Sequence, residues 1–175
     1  MKNIKFNNKE NIAYDIDGKK IYNSRSCATV GVVICRYKND DYVLIAERGI
    51  GSADYSGYWN IPCGYLDWDE TGYEGVVREV YEETGFYIPS VKKVIRQDLN
   101  QPFFVNTDPK ENRQNISLSY GIYFKTNKLP KLSKEHNEPD EVGELGWVKI
   151  SELNKYKFAF NHLDRIKMYY SIIFH

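Results

Sequence analysis

Apolar and polar positions change period several times along the chain, and the changes mark out its elements. Residues 11–22 (NIAYDIDGKKIY) alternate through Ile12, Tyr14 and Ile16 up to Asp17-Gly18 and resume at Ile21, the pattern of a hairpin closed by a DG turn. Residues 26–36 (SCATVGVVICR) are β-branched and apolar, which predicts a buried strand. A polar turn over 38–41 leads to a second strand at 42–48. Residues 49–58 hold three glycines without periodicity and read as a loop, followed by a short strand at 59–63.

From 71 to 84 the period becomes helical. Tyr73, Val76, Val77 and Val80 fall on one stripe, and Gly85 stands where a left-handed cap would end the helix. Strands are expected at 91–104, 116–125 and 144–149, the last carrying Trp147. Ser151 is read as the cap of a short helix. Asn161 is read as the cap of a final helix bearing Leu163, Ile166, Tyr170 and Ile173. Strands, one helix, more strands and terminal helices make an α+β chain or a three-layer sandwich, without regular βαβ alternation. A length of 175 residues suits one domain, 26–175, with residues 1–25 as an N-terminal hairpin or extension.

Composition changes this picture little. Lys and Arg number 24 and so do Asp and Glu, so the chain has no global attraction for nucleic acid or an anionic membrane. Cys27, Cys35 and Cys63 are an odd, scattered set without a CxxC pair, as expected in a reducing compartment. The N-terminus has no apolar run, and no stretch is long enough to span a bilayer, so the chain reads as soluble and cytoplasmic. The zero net charge nevertheless conceals opposed regions. Residues 67–83 hold seven acids against Arg78, residues 135–144 hold five acids and no base, and residues 91–134 hold nine bases against three acids. Two acidic segments to gather a divalent cation, with a basic one to meet phosphate, are compatible with a polyanionic small molecule.

The chemistry concentrates in residues 64–86, GYLDWDETGYEGVVREVYEETGF. Glu79, Glu82 and Glu83 are i, i+3 and i+4 on the expected helix and project from one face, which lies away from the valine stripe although Glu79 and Glu83 flank its edge. Arg78 is the helix's one cation near them and points about 100° away from Glu79. Gly75 lies on the same face one turn earlier, where a small residue would leave room for a ligand. The plain alternative is a solvated acidic face, but these acids lack the i+4 lysines of such a face, and a glycine-bearing loop precedes them. Hard oxygen donors of this kind suit Mg²⁺ or Mn²⁺.

This stretch resembles the Nudix box, G-x5-E-x7-R-E-U-x-E-E-x-G-U with U apolar. Gly64, Glu70, Arg78, Glu79, Glu82, Glu83 and Gly85 occupy its seven fixed positions, Val80 the first U, and Phe86 the second, where an aliphatic residue is usual. The resemblance implies a Nudix-like α/β/α sandwich with a mixed sheet. It also implies a hydrolase that cleaves a nucleoside diphosphate linked to a group X, using Mg²⁺ or Mn²⁺. By resemblance, Glu79, Glu82 and Glu83 are the carboxylate ligands, and one of them or another glutamate acts as base. Arg78 orients a carboxylate, with Gly64 and Glu70 in support. Cys63, in Pro62-Cys63-Gly64 where Pro-Gly-Gly is common, lends its main-chain carbonyl to the metal. The family also uses a glutamate from a later loop or strand, and here Glu138, Glu141 and Glu144 are candidates, with Glu141 favoured.

For the substrate, Pro102 lies sixteen residues beyond the box, a mark resembling that of ADP-ribose pyrophosphatases. Thr107, Asp108, Pro109, Arg113, Ile116 and Ser117 resemble a Nudix subgroup with a (S/T)DP signature. ADP-ribose or a related nucleotide sugar is thus the expected small-molecule substrate, with AMP and ribose 5-phosphate as products in the first case. Trp59 is a candidate to stack a base, with a place in the core as its plainer reading, and Arg48 and Arg113 are candidates to pair with phosphate or are surface charges. Two alternatives stay open: a non-catalytic nucleotide sensor on the same fold, and a pyrophosphatase clearing damaged nucleoside triphosphates. The hairpin at 11–22 offers an edge either to a second copy, giving a homodimer, or to its own sheet.

Overall fold

The computed structural model describes residues 12–22, 25–108, 115–136 and 140–174. Its axis is the apolar strand β3 (Cys27–Tyr37), after the hairpin strands β1 (Ile12–Tyr14) and β2 (Lys20–Tyr22). Strand β4 (Asp40–Arg48) is antiparallel to β3. Two short strands follow, β5 (Trp59–Asn60) and β6 (Cys63–Tyr65). After helix α1 (Gly72–Thr84) come β7 (Val94–Asp98), β8 (Phe104–Asn106), β9 (Ile116–Thr126) and β10 (Val142–Lys149). A 3-10 segment over Ile150–Lys155 leads to helix α2 (His162–Ile173). The main sheet runs β10-β4-β3-β9-β7, and β3 pairs in parallel with β9 along its full length. The sheet is therefore mixed, as expected.

The alternation of β3 divides the core. Val33 and Cys35 face α1, which docks Val76 and Val80 so closely over Gly31 that a Cβ there would lie 2.8 Å from both valines. Val30, Val32 and Ile34 face the opposite way, onto Ile166 and Tyr169 of α2. Both faces of the sheet are thus buried, giving an α/β/α sandwich. On the α2 side, Asp41 accepts from Arg36 at 2.5 and 2.6 Å and from the Tyr123 and Tyr170 hydroxyls at 2.9 Å, tying β3, β4, β9 and α2 together.

One edge of β3 positions the site. Its C-terminal half pairs with β4 from Ile34 to Tyr37, while its N-terminal half pairs with β6 from Ala28 to Val30. Strand β4 leaves β3 and pairs instead with β5 through Ala46 and Glu47. The two strands diverge, and the 59–65 segment fills the gap between them. Residues 59–63 are accordingly two strands broken at Ile61-Pro62, not one. Proline cannot donate to a ladder, and its carbonyl instead accepts from Gly31 at 2.9 Å.

Other boundaries also shift. The strand expected at 91–104 is β7 and β8, separated by a loop around Pro102. Ser151 does not cap; it lies inside the 3-10 segment, whose first flanking residue is Lys149. Asn161 does precede α2, but its side chain makes no capping bond. Helix α1 is capped by Thr71 and Glu74, which bond reciprocally, and ends on Gly85 at φ 68°. Tyr73 is not part of its buried stripe, which continues instead through Gly75, Val76, Val80, Glu83 and Thr84. The hairpin forms with its glycine at φ 79°, and β1 and β2 pair only with each other among the described residues.

Candidate active site

Where β3 and β4 separate, a cleft opens that is lined by Glu47, Arg48, the loop 51–53, Asn60, Cys63, Glu83, Glu141 and Val142. Of the α1 carboxylates, Glu83 stands on its wall, while Glu79 and Glu82 do not. Glu83 is 6% exposed, and its Oε1 accepts from the Cys63 main-chain N–H at 3.2 Å, whereas Oε2 is buried without a partner. Burial, the neighbouring Glu79 and Glu141 charges, and their excess over Arg48 and the Cys63 N–H push its carboxyl well above the usual range. Glu79 is pushed up to about 7, by burial first and then by Glu82 and Glu141, against the opposing pull of Arg78. A hydrophobic helix side has thus carried two carboxylates under the protein. The expectation of an acidic face set apart from the buried stripe is corrected, because Glu83 belongs to that stripe.

Arg78 reaches the carboxylates despite its starting direction. Its Cα direction departs from that of Glu79, yet its length brings the guanidinium back over the carboxylates. It reaches Glu79 at 2.7 Å, Glu82 at 2.9 Å, Glu70 at 2.8 and 3.0 Å, and the Tyr65 carbonyl at 2.9 Å. Glu70 also accepts from the Asp67 N–H at 3.0 Å, so the box loop is tied to the helix through one guanidinium. Pairing with Arg78 lowers the Glu70 carboxyl. Among the described residues no three His, Cys, Asp or Glu side chains already stand together as a metal cage. The partnerless oxygen of Glu83 and the crowded Glu79 are nevertheless a donor set that fits a hard divalent cation, which would relieve both their burial and their mutual repulsion.

The two glycines of this region do different work. A Cβ on Gly64 would stand 2.2–2.3 Å from the Glu79 carboxylate, so the absent side chain is what admits that group. A Cβ on Gly75 would meet Leu66, Glu70 and Thr29 at 2.9–3.2 Å. Gly75 therefore makes room for the protein's own packing rather than for a ligand, contrary to expectation.

The remaining candidates separate clearly. Glu141 reaches the cleft because its carbonyl accepts from the Gly49 N–H at 2.8 Å while the adjacent Asp140 carbonyl accepts from Gly51 at 2.8 Å. Glu144 is not on the cleft wall; its N–H donates to Glu47 at 3.2 Å. Arg48 lines the cleft, with its Nε donating to the Asp54 carbonyl at 2.8 Å. Trp59 does not line it. Its ring packs edge-on against Tyr156, 5.1 Å between centroids, as part of the α2-side core. Arg113, Pro109 and Glu138 lie outside the described residues. The basic segment 91–134 contributes no residue to the cleft wall among those described, and Arg48 is the cation there.

Comparison with known proteins settles the family. Residues 26–169 match the NUDIX domain. The chain belongs to the NUDIX family. Its relatives include an ADP-ribose pyrophosphatase of Methanocaldococcus jannaschii, 25% identical over 71% of this chain and 76% of that protein. Among solved structures, the NUDIX domain of Shewanella oneidensis NrtR complexed with ADP ribose has a similar fold. The TM-score is 0.64, at 17% identity, covering 91% of this chain and 94% of that one. A bifunctional NMN adenylyltransferase/ADP ribose pyrophosphatase from Francisella tularensis, complexed with AMP and a Mn ion, matches with a TM-score of 0.63 at 17% identity. That match covers 86% of this chain and 42% of the other. The family match and the hydrolases among its relatives make this chain a Nudix hydrolase.

Two cleft residues of this Nudix hydrolase escaped the sequence reading. Glu47 ends the apolar run of β4 beside Arg48, and adjacent charges closing a buried strand at a glycine-rich loop were the available signal. Asn60 is 3% exposed and its Oδ1 has no partner. A polar residue inside the short apolar run Trp59-Ile61 marked it.

Proposed function

We propose that this Nudix hydrolase is a Mg²⁺- or Mn²⁺-dependent pyrophosphohydrolase acting on ADP-ribose or a related nucleotide sugar. Water would add across the diphosphate anhydride, breaking one P–O bond and leaving a nucleoside monophosphate and a phosphorylated X. The observation that carries this reading is the Glu83 carboxylate, buried at the cleft floor with one oxygen held by Cys63 and the other free. Glu79, Glu82 and Glu83, with the Cys63 main-chain carbonyl, are the groups that would hold the cation. When bound, it supplies neutralisation of the diphosphate charge and a lowered pKa for coordinated water. Arg78 keeps Glu79 and Glu82 in place, and Glu70 keeps Arg78 in place. Glu141, on the facing loop, is the candidate to take the proton of the attacking water, and Arg48 to pair with a phosphate oxygen.

The choice of ADP-ribose rests on Pro102, on the Thr107-Asp108-Pro109 signature and on the M. jannaschii relative. The free thiols of Cys27, Cys35 and Cys63 support a cytoplasmic setting. The hairpin at 12–22 is read as an extension to the 26–175 domain and as the edge available to a second copy. Incubation with Mg²⁺ and a panel of diphosphates and triphosphates, followed by phosphorus NMR, tests the reading. AMP with ribose 5-phosphate is the expected outcome from ADP-ribose. Release of pyrophosphate from triphosphates would identify a triphosphate hydrolase instead. Tight nucleotide binding without turnover of any member would identify a sensor.

A further inference from the structure

Helix α2 carries a buried cation that the fold leaves uncompensated. Arg165 is 8% exposed and belongs, with His162, Ile166 and Tyr169, to the helix face turned onto the sheet. Its guanidinium carbon lies 3.7 Å from the centroid of the Phe104 ring. Among the described residues the guanidinium contacts the Phe104 ring and makes no hydrogen bond or ion pair, although it has five N–H donors. The nearby hydroxyls give it no acceptor. Ser119, opposite Phe104 in the β8–β9 register and so on the same face of the sheet, has a buried Oγ without a partner. Tyr169, one turn along α2, packs on Phe103, and its hydroxyl is turned to Asp98 rather than to Arg165. The acid acting on Arg165 is Asp164, which is exposed and one residue earlier on the helix.

No protein acceptor serves this cation, and stacking on one aromatic ring leaves its N–H donors to groups arriving from solvent. The residual field is visible on its neighbour. His162 accepts from the Ile61 N–H at 3.3 Å through Nδ1, and burial, reinforced by Arg48 and Arg165, pushes its ring down to about 3. None of the Arg165 nitrogens is sealed from solvent, so the remaining exposure includes the edge of the guanidinium. Stacking occupies a face of the guanidinium and leaves its in-plane donor fork free, the geometry that receives an oxyanion side-on.

We propose that Arg165, seated on Phe104, is the anchor of an oxyanion site that receives the phosphate or carboxylate group of a small ligand. The site is separate from the carboxylate cleft on α1. It stands whether or not the chain cleaves a diphosphate, since neither Arg165 nor Phe104 lines that cleft.

The test compares thermal unfolding of the metal-free protein in phosphate, in acetate and in chloride of equal ionic strength. In the wild type, phosphate or acetate raises the midpoint above that in chloride, and whichever does so identifies the anion class. Arg165→Met keeps the stem volume and removes the charge. Its midpoint in chloride equals or exceeds that of the wild type, and the anion-specific rise disappears. Arg165→Lys keeps a charge without the fork and shifts the phosphate or acetate half-saturation at least about tenfold upward. Should the methionine variant fail to fold, the wild-type Arg165 Nε–Hε resonance, assigned by its loss in the lysine variant, serves instead and moves on titration with the active anion. A wild type that responds to phosphate and acetate only as to chloride would overturn the proposal. So would a rise that persists undiminished in the variants, since that would place the anion elsewhere.

Discussion

The Cys63 main-chain N–H holds one oxygen of Glu83 at 3.2 Å, while the other oxygen of the same carboxylate is buried with no partner. A single neutral N–H does not compensate a carboxylate at 6% exposure. In the structure Glu83 stands on the stripe that docks α1 onto the sheet, so its burial accompanies the packing of Val76 and Val80. Folding energy from those valines is thereby used to hold an acid where water would not leave it.

Replacing Glu83 by glutamine should therefore stabilise the metal-free protein above neutral pH. The folded-state carboxyl is raised, so the folded chain binds the proton more tightly than the unfolded chain. That stabilises at low pH and is lost as pH rises beyond the ordinary carboxylate range. At pH 8 the glutamine variant avoids the loss, and each kcal/mol recovered raises the midpoint by about 2–4 °C. The same variant should lose both turnover and the rise in midpoint that Mg²⁺ produces in the wild type. Calorimetry of both proteins with and without Mg²⁺ checks this. A lower metal-free midpoint for the variant would contradict the burial argument.

Cation binding should release protons. Glu79 is held at about 7 in the metal-free protein, and a cation competes with that proton. Mg²⁺ affinity should fall as pH drops from 8 to 6, approaching tenfold per unit below 7 for the one group. Titration calorimetry in two buffers of different ionisation enthalpy should give unequal apparent heats at pH 7. Equal heats would show that no proton leaves.

How far the site was legible differs from residue to residue. The spacing of Glu79, Glu82 and Glu83 specified a shared helix face, because helical geometry is local. That Glu83 would be buried and Glu82 left 46% exposed was not legible. It depends on how β6 crosses the end of the helix, a contact set by the divergence of β3 and β4. The helical direction of Arg78 alone points away from Glu79, and its long side chain carries the guanidinium back to Glu79 and Glu82, a reach that Cα geometry does not contain. The place of Trp59 beside the loop is compatible with a base platform or a core position, and its edge-on packing against Tyr156 decides for the core. Glu141 could be placed at the cleft only through main-chain bonds from Gly49 and Gly51, which a linear reading does not contain.

Gly64→Ala tests how the carboxylates are seated. The added methyl would stand 2.2–2.3 Å from the Glu79 carboxylate, so either Glu79 swings out or β6 moves from Thr29. Displacing a group that positions a metal ligand typically costs about 10–100-fold in affinity or activity. The variant should show that loss in Mg²⁺ affinity while its unfolding remains cooperative. Unchanged affinity would show that Glu79 need not occupy its present position.

Asp41→Asn should be the destabilising counterpart, far from the chemistry. Asp41 is 8% exposed and takes four hydrogen bonds, two from Arg36 and one each from Tyr123 and Tyr170. Burial alone would raise its carboxyl, but the donors outweigh it, and the net shift is downward. A depressed acid contributes stability above its unfolded pKa, lost as pH falls through the lower folded value. Breaking a fully buried pair costs roughly 3–5 kcal/mol, and Arg36 at 35% exposure recovers part of that through water. The expected loss is thus about 2–3 kcal/mol at pH 7, read from urea unfolding. The difference between wild type and variant should shrink below pH 4, where Asp41 of the unfolded wild type takes up a proton that the folded chain still resists. Turnover at saturating substrate should hold, because Asp41 lies at the opposite end of β4 from Arg48. A gap in stability that persists unchanged at pH 3 would show that the lost bonds are not those of the ionised carboxylate.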